Sequence, residues 1–228
     1  MKITSIQTGS IETWMSLHAR PLKNFEKFRI EVPVFCFLVE CRGGKILFDV
    51  GQKPLPFVQD RKTADYYVKV SPDETAVRKL AALDISPDDL DFIILSHKHG
   101  DHVDGLEDFP NVEVMIQKQA APMSEKFRNR FLCIDGEFDV FGDGSVLCIP
   151  TPGHAPEHQS LLITHDDVSR ELLIGDVVYL PEALDYEPEP EEYSRRPAYF
   201  DSIRKVRAMR DSGIKIRFSH IPFHPVSC

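Results

Sequence analysis

Residues 94–105 read ILSHKHGDHVDG, an apolar ending followed at once by three histidines and an aspartate. Nine histidines serve the 228 residues of the chain, yet His97, His99 and His102 fall within six positions, around Asp101. The preceding run from Phe92 to Leu95 is wholly apolar, so Ser96 onward lies just beyond the end of a buried strand. In an extended segment residues two apart point the same way, and His97, His99 and Asp101 can therefore converge on one point; His102 joins them if the chain turns into a helix there. Three imidazoles this close disfavour one another's protonation unless a cation or hydrogen bonds order them.

Three more apolar segments end in the same manner. VLCIPTPGH delivers His154 after a Pro-Gly turn, LLIGD delivers Asp176, and IRFSH delivers His220. A lone histidine after a strand is usually a surface residue; repetition at four strand ends is what points to a metal. Five histidines and two carboxylates make seven donors, more than one tetrahedral zinc takes and suited to two ions sharing a bridge. His158, within GHAPEH, is expected to hydrogen-bond groups around the site rather than bind metal. His18, His165 and His224 have no supporting context and read as surface residues. Ser96 and Asp49 read as supporting or turn residues, because no G-x-S-x-G elbow exists to activate a serine.

Around these ends the chain alternates strands and helices. Residues 32–50, VPVFCFLVECRGGKILFDV, give two apolar runs parted by Arg42-Gly43-Gly44, the pattern of a hairpin. Residues 52–70 read as a polar loop region with Pro54 and Pro56. Ser71, Pro72 and Glu74 form a helix-start signature, and Val77, Leu80 and Ala81 supply one apolar face, which predicts a helix over 72–84. Strands are expected near 92–95, 112–116, 145–149, 159–164 and 171–176, with a helix over 117–129. A final helix over 200–212, with Ile203, Val206 and Met209 on one face and closed by Gly213, precedes a last strand ending at His220. The acidic stretch PEALDYEPEPEE reads as a surface excursion, since about forty residues follow it, too few for a second core. One domain spanning 1–228 is the expectation.

Composition narrows the function classes. An apolar share of 42 % and a charged share of 28 % are those of an ordinary globular protein. A net charge of −9 argues against a nucleic-acid partner, which calls for a basic face. No signal-peptide core and no apolar run long enough to cross a bilayer is legible, so a cytoplasmic location without a membrane partner is expected. The five cysteines, Cys36, Cys41, Cys133, Cys148 and Cys228, show no CxxC spacing and read as reduced thiols.

The segments SHKHGDH, TPGHAPEHQSLLI, GDVVY and FSH, together with VPVFCFLVECRGGKILFDVG and its Asp49-x-Gly51 turn, resemble the metallo-β-lactamase superfamily in order and spacing. Within it, overall length and Tyr179, three residues after Asp176, resemble the N-acyl homoserine lactone lactonases. The resemblance covers nearly the whole chain. It implies an α/β (α+β) fold, the four-layer αββα sandwich of two mostly antiparallel sheets with helices on both outer faces and metals at one edge. It implies His97, His99 and His154 on one metal, Asp101, His102 and His220 on the other, and Asp176 as the bridge. Asp101 and Tyr179 would be the catalytic residues, Tyr179 aiming its hydroxyl at the substrate carbonyl and Asp101 passing a proton to the leaving alkoxide. Gly100 stands where such lactonases often carry a large apolar residue lining the acyl pocket. The cofactors implied are two divalent cations, zinc first, with manganese, iron or cobalt compatible with the same ligand types. The partner is a small lactone or ester, acted on by a monomer or homodimer.

Rival readings are a thioester hydrolase resembling glyoxalase II, whose added basic helical domain is not legible here, and a nuclease, which the acidic charge disfavours. A flavodiiron-type reductase would carry a glutamate at His99. A non-catalytic binding module is opposed by the intact ligand set, since degenerate members usually lose ligands.

Overall fold

A computed structural model of the chain describes residues 1–23, 28–41, 43–120, 127, 130–166 and 168–226. In chain order the first half holds β1 (Lys2–Trp14), α1 (Met15–His18), β2 (Arg29–Cys41), β3 (Gly44–Phe48), β4 (Tyr66–Lys69), α2 (Ala76–Ala81), β5 (Phe92–Ile94), α3 (Gly100–Val103) and β6 (Glu113–Gln117). The second half adds β7 (Phe131–Ile134), β8 (Phe138–Asp139), β9 (Val146–Pro150), β10 (Gln159–Thr164), β11 (Arg170–Leu173), α4 (Pro190–Arg195), α5 (Pro197–Asp211), β12 (Lys215–Arg217) and β13 (His224–Pro225).

The strands form two sheets, one in the order β4-β1-β2-β3-β5-β6-β7 with β13 beside β2, the other β12-β11-β10-β9-β8. The hairpin side of the first sheet is antiparallel, whereas β3, β5, β6 and β7 run parallel to one another. The first sheet is therefore more mixed than the expected, mostly antiparallel one. Parallel neighbours need crossover connections, and α2 and α3 lie in those crossovers.

The period of two along β2 builds three of the four layers. Phe37 and Val39 face the second sheet, packing with Val146, Cys148, Leu161 and Leu173. Cys36 and Leu38 point the other way, into a cluster with Ala76 and Leu80 of α2 and with Val103. On the far side, Phe200, Ile203 and Val206 of α5 cover Leu162 and Leu172 of the second sheet. This is the αββα sandwich.

Differences from the sequence reading have local causes. The hydrophobic pattern does not announce β1, a 13-residue strand. Its register against β2 shifts between Gln7 and Ser10, so inward positions change parity halfway along. The strand also buries Glu12, which accepts hydrogen bonds from Arg29 (2.6 Å) and Arg61 (2.8 Å) and so reads as polar although it is interior. The helix expected over 72–84 divides into a 3₁₀ turn, Pro72–Glu74, and α2, because Thr75 between them is extended at ψ 151°. The Ser71–Glu74 capping box is present. Residues 52–70 contain β4, which pairs with β1 at the sheet edge. Of the helix expected over 117–129, residues 118–120 form a 3₁₀ turn, and residues 121–126, 128 and 129 lie outside the described ones, as do Arg42 and Cys228. Cys36 and Cys148 are buried free thiols, while Cys133 is exposed. Among the described residues no helix is long and apolar enough to cross a membrane.

Candidate metal centre

Four strand ends meet at one edge of the sandwich. The chain leaves β5 through Leu95 and Ser96 to His97, and His99 sits at the N-terminal boundary of α3, which carries Asp101 and His102. His154 follows β9, Asp176 follows β11 and His220 follows β12. Gly175 is required before Asp176: its φ is +54°, and a side chain there would meet His158 Nε2 at 2.8 Å and Ser96 Cβ at 3.0 Å. The Asp49–Gly51 turn is as constrained, with Gly51 at φ +67° against the Thr8 hydroxyl.

The donors gather into two groups, His97, His99 and His154 in one and Asp101, His102, Asp176 and His220 in the other, each with its ligand atoms within 4.8 Å of one another. In the first, His99 Nδ1 lies 3.0 Å from His97 Nε2 and 2.8 Å from His154 Nε2. In the second, His102 Nε2 and His220 Nε2 lie 3.6 and 3.5 Å from Asp101 Oδ2. Asp176 joins the groups with one oxygen each. Its Oδ1 lies 3.3 Å from His102 Nε2 and 3.2 Å from His220 Nε2, and its Oδ2 lies 3.4 Å from His154 Nε2 and 3.8 Å from His97 Nε2.

The far nitrogens of the rings are held from behind. His102 Nδ1 faces Asp49 Oδ2 at 2.8 Å, and Asp49 also accepts from the Ser96 amide (2.7 Å) and hydroxyl (2.8 Å). His220 Nδ1 faces the Pro33 carbonyl oxygen at 2.9 Å. Such partners fix the tautomer that leaves Nε2 free for a metal. His158 supports the carboxylate: its Nε2 accepts the Asp176 amide at 3.0 Å while its Nδ1 faces the Thr151 carbonyl oxygen at 3.0 Å. The supporting roles expected for Asp49, Ser96 and His158 agree with these contacts. His165 pairs with Glu171 at 3.1 Å and His224 is exposed. His18 departs from expectation, being buried and stacked on Tyr179.

The electrostatics of the edge call for added positive charge. Burial opposes protonation of His102, but Asp176, Asp101 and Asp49 outweigh it and hold its pKa well above the usual imidazole range. Burial likewise works against His220, and Asp176 again outweighs it. Burial would raise the Asp176 carboxyl, yet His102 and His220 hold it well below the usual range. On the other side burial, reinforced by His102, pushes His97 well down. Two buried donor atoms, His102 Nε2 and Asp176 Oδ1, have no hydrogen-bond partner although they lie 3.3 Å apart. A divalent cation in the second group would satisfy both atoms and replace the protons that the carboxylates otherwise demand. The donor set, imidazole and carboxylate, suits zinc, manganese, iron and cobalt alike.

A cavity of about 410 Å³ opens over the two groups, lined by His99, Gly100, Asp101, Asp104, Tyr179 and the apolar side chains of Ile11, Leu55 and Val68. His154 and Asp176 also line it and His99 is exposed, whereas His97, His102 and His220 are buried. Burial, then Asp176 and Asp101, push the Tyr179 phenol well above its ordinary pKa, so it remains a hydrogen-bond donor.

Residues 29–220 match the model of the metallo-β-lactamase superfamily. The chain belongs to the metallo-β-lactamase superfamily. An N-acyl homoserine lactonase from a Bacillus species is 30 % identical over 174 residues, 69 % of each chain. The N-acyl homoserine lactonase AttM of Rhizobium radiobacter is 26 % identical over 92 % of this chain and 88 % of its own. Among solved structures, an N-acyl homoserine lactone hydrolase with the product N-hexanoyl-L-homoserine at its catalytic metal centre superposes with a TM-score of 0.78 at 26 % identity, over 96 % of this chain and 92 % of that one. That solved structure and this chain share the metallo-β-lactamase fold.

Proposed function

We propose that this protein, as one domain over 1–228, is a metal-dependent lactone hydrolase that opens the ring of N-acyl homoserine lactones. The observation that carries this reading is the Asp176 carboxylate set between two histidine groups, one oxygen to each, in the lining of a cavity that also presents apolar side chains. The relatives named above act on, or hold the product of, that substrate class.

In this reading His97, His99 and His154 would hold one divalent cation, Asp101, His102 and His220 would hold the other, and Asp176 would serve both. Two such ions, zinc being the first choice, would supply a hydroxide nucleophile at neutral pH and polarise the lactone carbonyl. The protein's own groups do the rest. Tyr179, protonated by virtue of its burial, donates its hydroxyl to the carbonyl oxygen as negative charge develops there. Asp49 keeps His102 oriented and the Pro33 carbonyl keeps His220 oriented. As the ring C–O bond breaks, Asp101, half-buried in the cavity lining, delivers to the leaving alkoxide the proton taken from the attacking water. The product is the ring-opened hydroxy acid, with no redox change. The apolar side chains of Ile11, Leu55 and Val68 suit an acyl arm, and among the described residues lining the cavity Lys53 is the one lysine or arginine, which does not suit a phosphodiester.

Purified, metal-analysed protein assayed on N-hexanoyl homoserine lactone, γ-butyrolactone, a glutathione thioester and bis-p-nitrophenyl phosphate tests this reading. Lactones should be hydrolysed best. Efficient thioester cleavage with inert lactones would favour the glyoxalase II-like reading, and fewer than about 0.2 ions per chain would favour a binding module, since a dinuclear enzyme must retain its ions.

Two substitutions refine it. Tyr179→Phe should keep both metals and lower kcat by about tenfold, the low end for losing an oxyanion donor because the cations share that duty. Unchanged kinetics would reduce Tyr179 to a packing residue. Gly100→Phe should leave metal content unchanged but turn preference toward shorter acyl chains. A Cβ there would stand 2.8 Å from Asp104 Oδ2, so the carboxylate must swing and the added ring takes cavity space. The same chain-length profile in both proteins would mean that the acyl arm lies elsewhere.

A further inference from the structure

α1 is only four residues long, and two of its neighbours explain themselves: Met15 and Ala19 are buried in an apolar cluster with Ile11, Ile30 and Val34. His18 is the exception. It is 3 % exposed, its Nε2 has no hydrogen-bond partner, and nothing in the metal centre uses it as a ligand. Its ring lies flat on Tyr179, centroids 5.1 Å apart and planes 11° from parallel, with Phe223 edge-on behind it at 6.1 Å.

Among the described residues, two other aromatic rings meet Tyr179, both from the site and both steeply inclined to it, and Asp176 shares a side-chain hydrogen bond with its phenol. His154, from one donor group, stands at 6.0 Å and 81°, and His220, from the other, at 5.5 Å and 70°. Steeply inclined neighbours and a hydrogen bond at the hydroxyl limit where the phenol sits, but the ring can still turn about its long axis. A parallel neighbour removes that freedom, and offset stacking is a favoured geometry for such a pair. An aromatic side chain locked by packing delivers its polar tip to one place before substrate arrives.

We propose that His18 is a positioning residue for lactone opening: its imidazole, stacked on Tyr179, sets the plane of the phenol and so the direction of the hydroxyl toward the substrate carbonyl. This inference rests on the lactonase reading for the identity of that carbonyl. With no partner at Nε2, what His18 contributes is the flat face of its ring. Burial, then the nearby His220, lower its pKa to about 3, so a neutral imidazole faces Tyr179 and adds no charge beside the two cation positions. The charged and titratable groups around it are His220, Asp176 and Tyr179 itself.

The test is a double-mutant cycle with an aromatic rescue. His18→Leu should lower kcat by about fivefold with KM and metal content unchanged, and His18→Phe should return kcat to within about twofold of the parent. In a Tyr179→Phe background His18→Leu should change kcat by less than about twofold, because the hydroxyl it positions is gone. An equal loss in both backgrounds, loss of metal, or failure of His18→Phe to restore activity would overturn the proposal. Should His18→Leu lose its folded circular-dichroism spectrum, His18→Gln, which removes the aromatic face while keeping a polar side chain, takes its place.

A measurement free of turnover separates this proposal from the lactonase reading. In protein labelled with 13C-tyrosine, the ring signal that vanishes in Tyr179→Phe should shift in His18→Leu and return near its place in His18→Phe. A signal that does not move overturns the stacking role even if lactones are good substrates. A parent inert on lactones, but hydrolysing p-nitrophenyl acetate with the coupling intact, overturns the lactone assignment and leaves the role of His18 standing.

Discussion

Asp176→Ala is expected to lose cations at both positions and to fall in activity by at least about 10³-fold, the size associated with removing a principal electrostatic element of a site. Asp176 turns one carboxylate oxygen to each donor group, with contacts of 3.2–3.4 Å to His220, His102 and His154 and a longer one of 3.8 Å to His97. Its removal leaves His97 and His102 fully buried without the carboxylate that balances them. Elemental analysis should report a fall from two ions per chain to fewer than about one, because a buried site without its charge balance rejects a cation. Two retained ions would remove Asp176 from the bridging role. An intact first group with only the second emptied would make it a ligand of the second alone.

Chelation of the parent protein should abolish activity and lower Tm by about 10–20 °C. Each site at a hundredfold excess of free metal over its Kd stabilises the fold by about 2.7 kcal/mol, and each kcal/mol is about 2–4 °C in a chain of this size. The effect should be this large because the emptied edge keeps Asp101, Asp176, His97, His102, His154 and His220 crowded together with two buried donor atoms unpartnered. Differential scanning calorimetry before and after chelation, followed by refilling with zinc, manganese or cobalt, measures it and identifies which ion restores both Tm and turnover. A chelated protein verified free of metal, yet unchanged in Tm and rate, would show that the cluster holds no functional cation.

Apolar runs ending in ligand-type residues at 97–102, 154, 176 and 220 were legible in the sequence because each depends on strand periodicity, a short-range property of the chain. The pairing of Ser71 with Glu74 was legible for the same reason, since a capping box spans three residues. The strand β1 was not. Its bulge destroys the alternation that marks a strand, and its buried Glu12 is neutralised by Arg29 and Arg61, 17 and 49 residues away. Only the assembled sheet shows why a carboxylate can sit there.

The same division runs through the site. Which residues could bind metal followed from the sequence, because chemistry belongs to the side chain and periodicity to its neighbours. Which nitrogen each imidazole presents, and where Asp176 directs its two oxygens, depended on Asp49, Pro33 and Thr151, brought to His102, His220 and His158 from as far as 187 residues away. His18 is the clearest case. As one histidine near the end of a weakly patterned segment it carried no signal, since nothing local distinguishes a ring in solvent from a ring against another ring. Its stacking on Tyr179, 161 positions distant, is made by α1 folding against the edge where the second sheet ends, and contacts of that range exist only once the layers have packed.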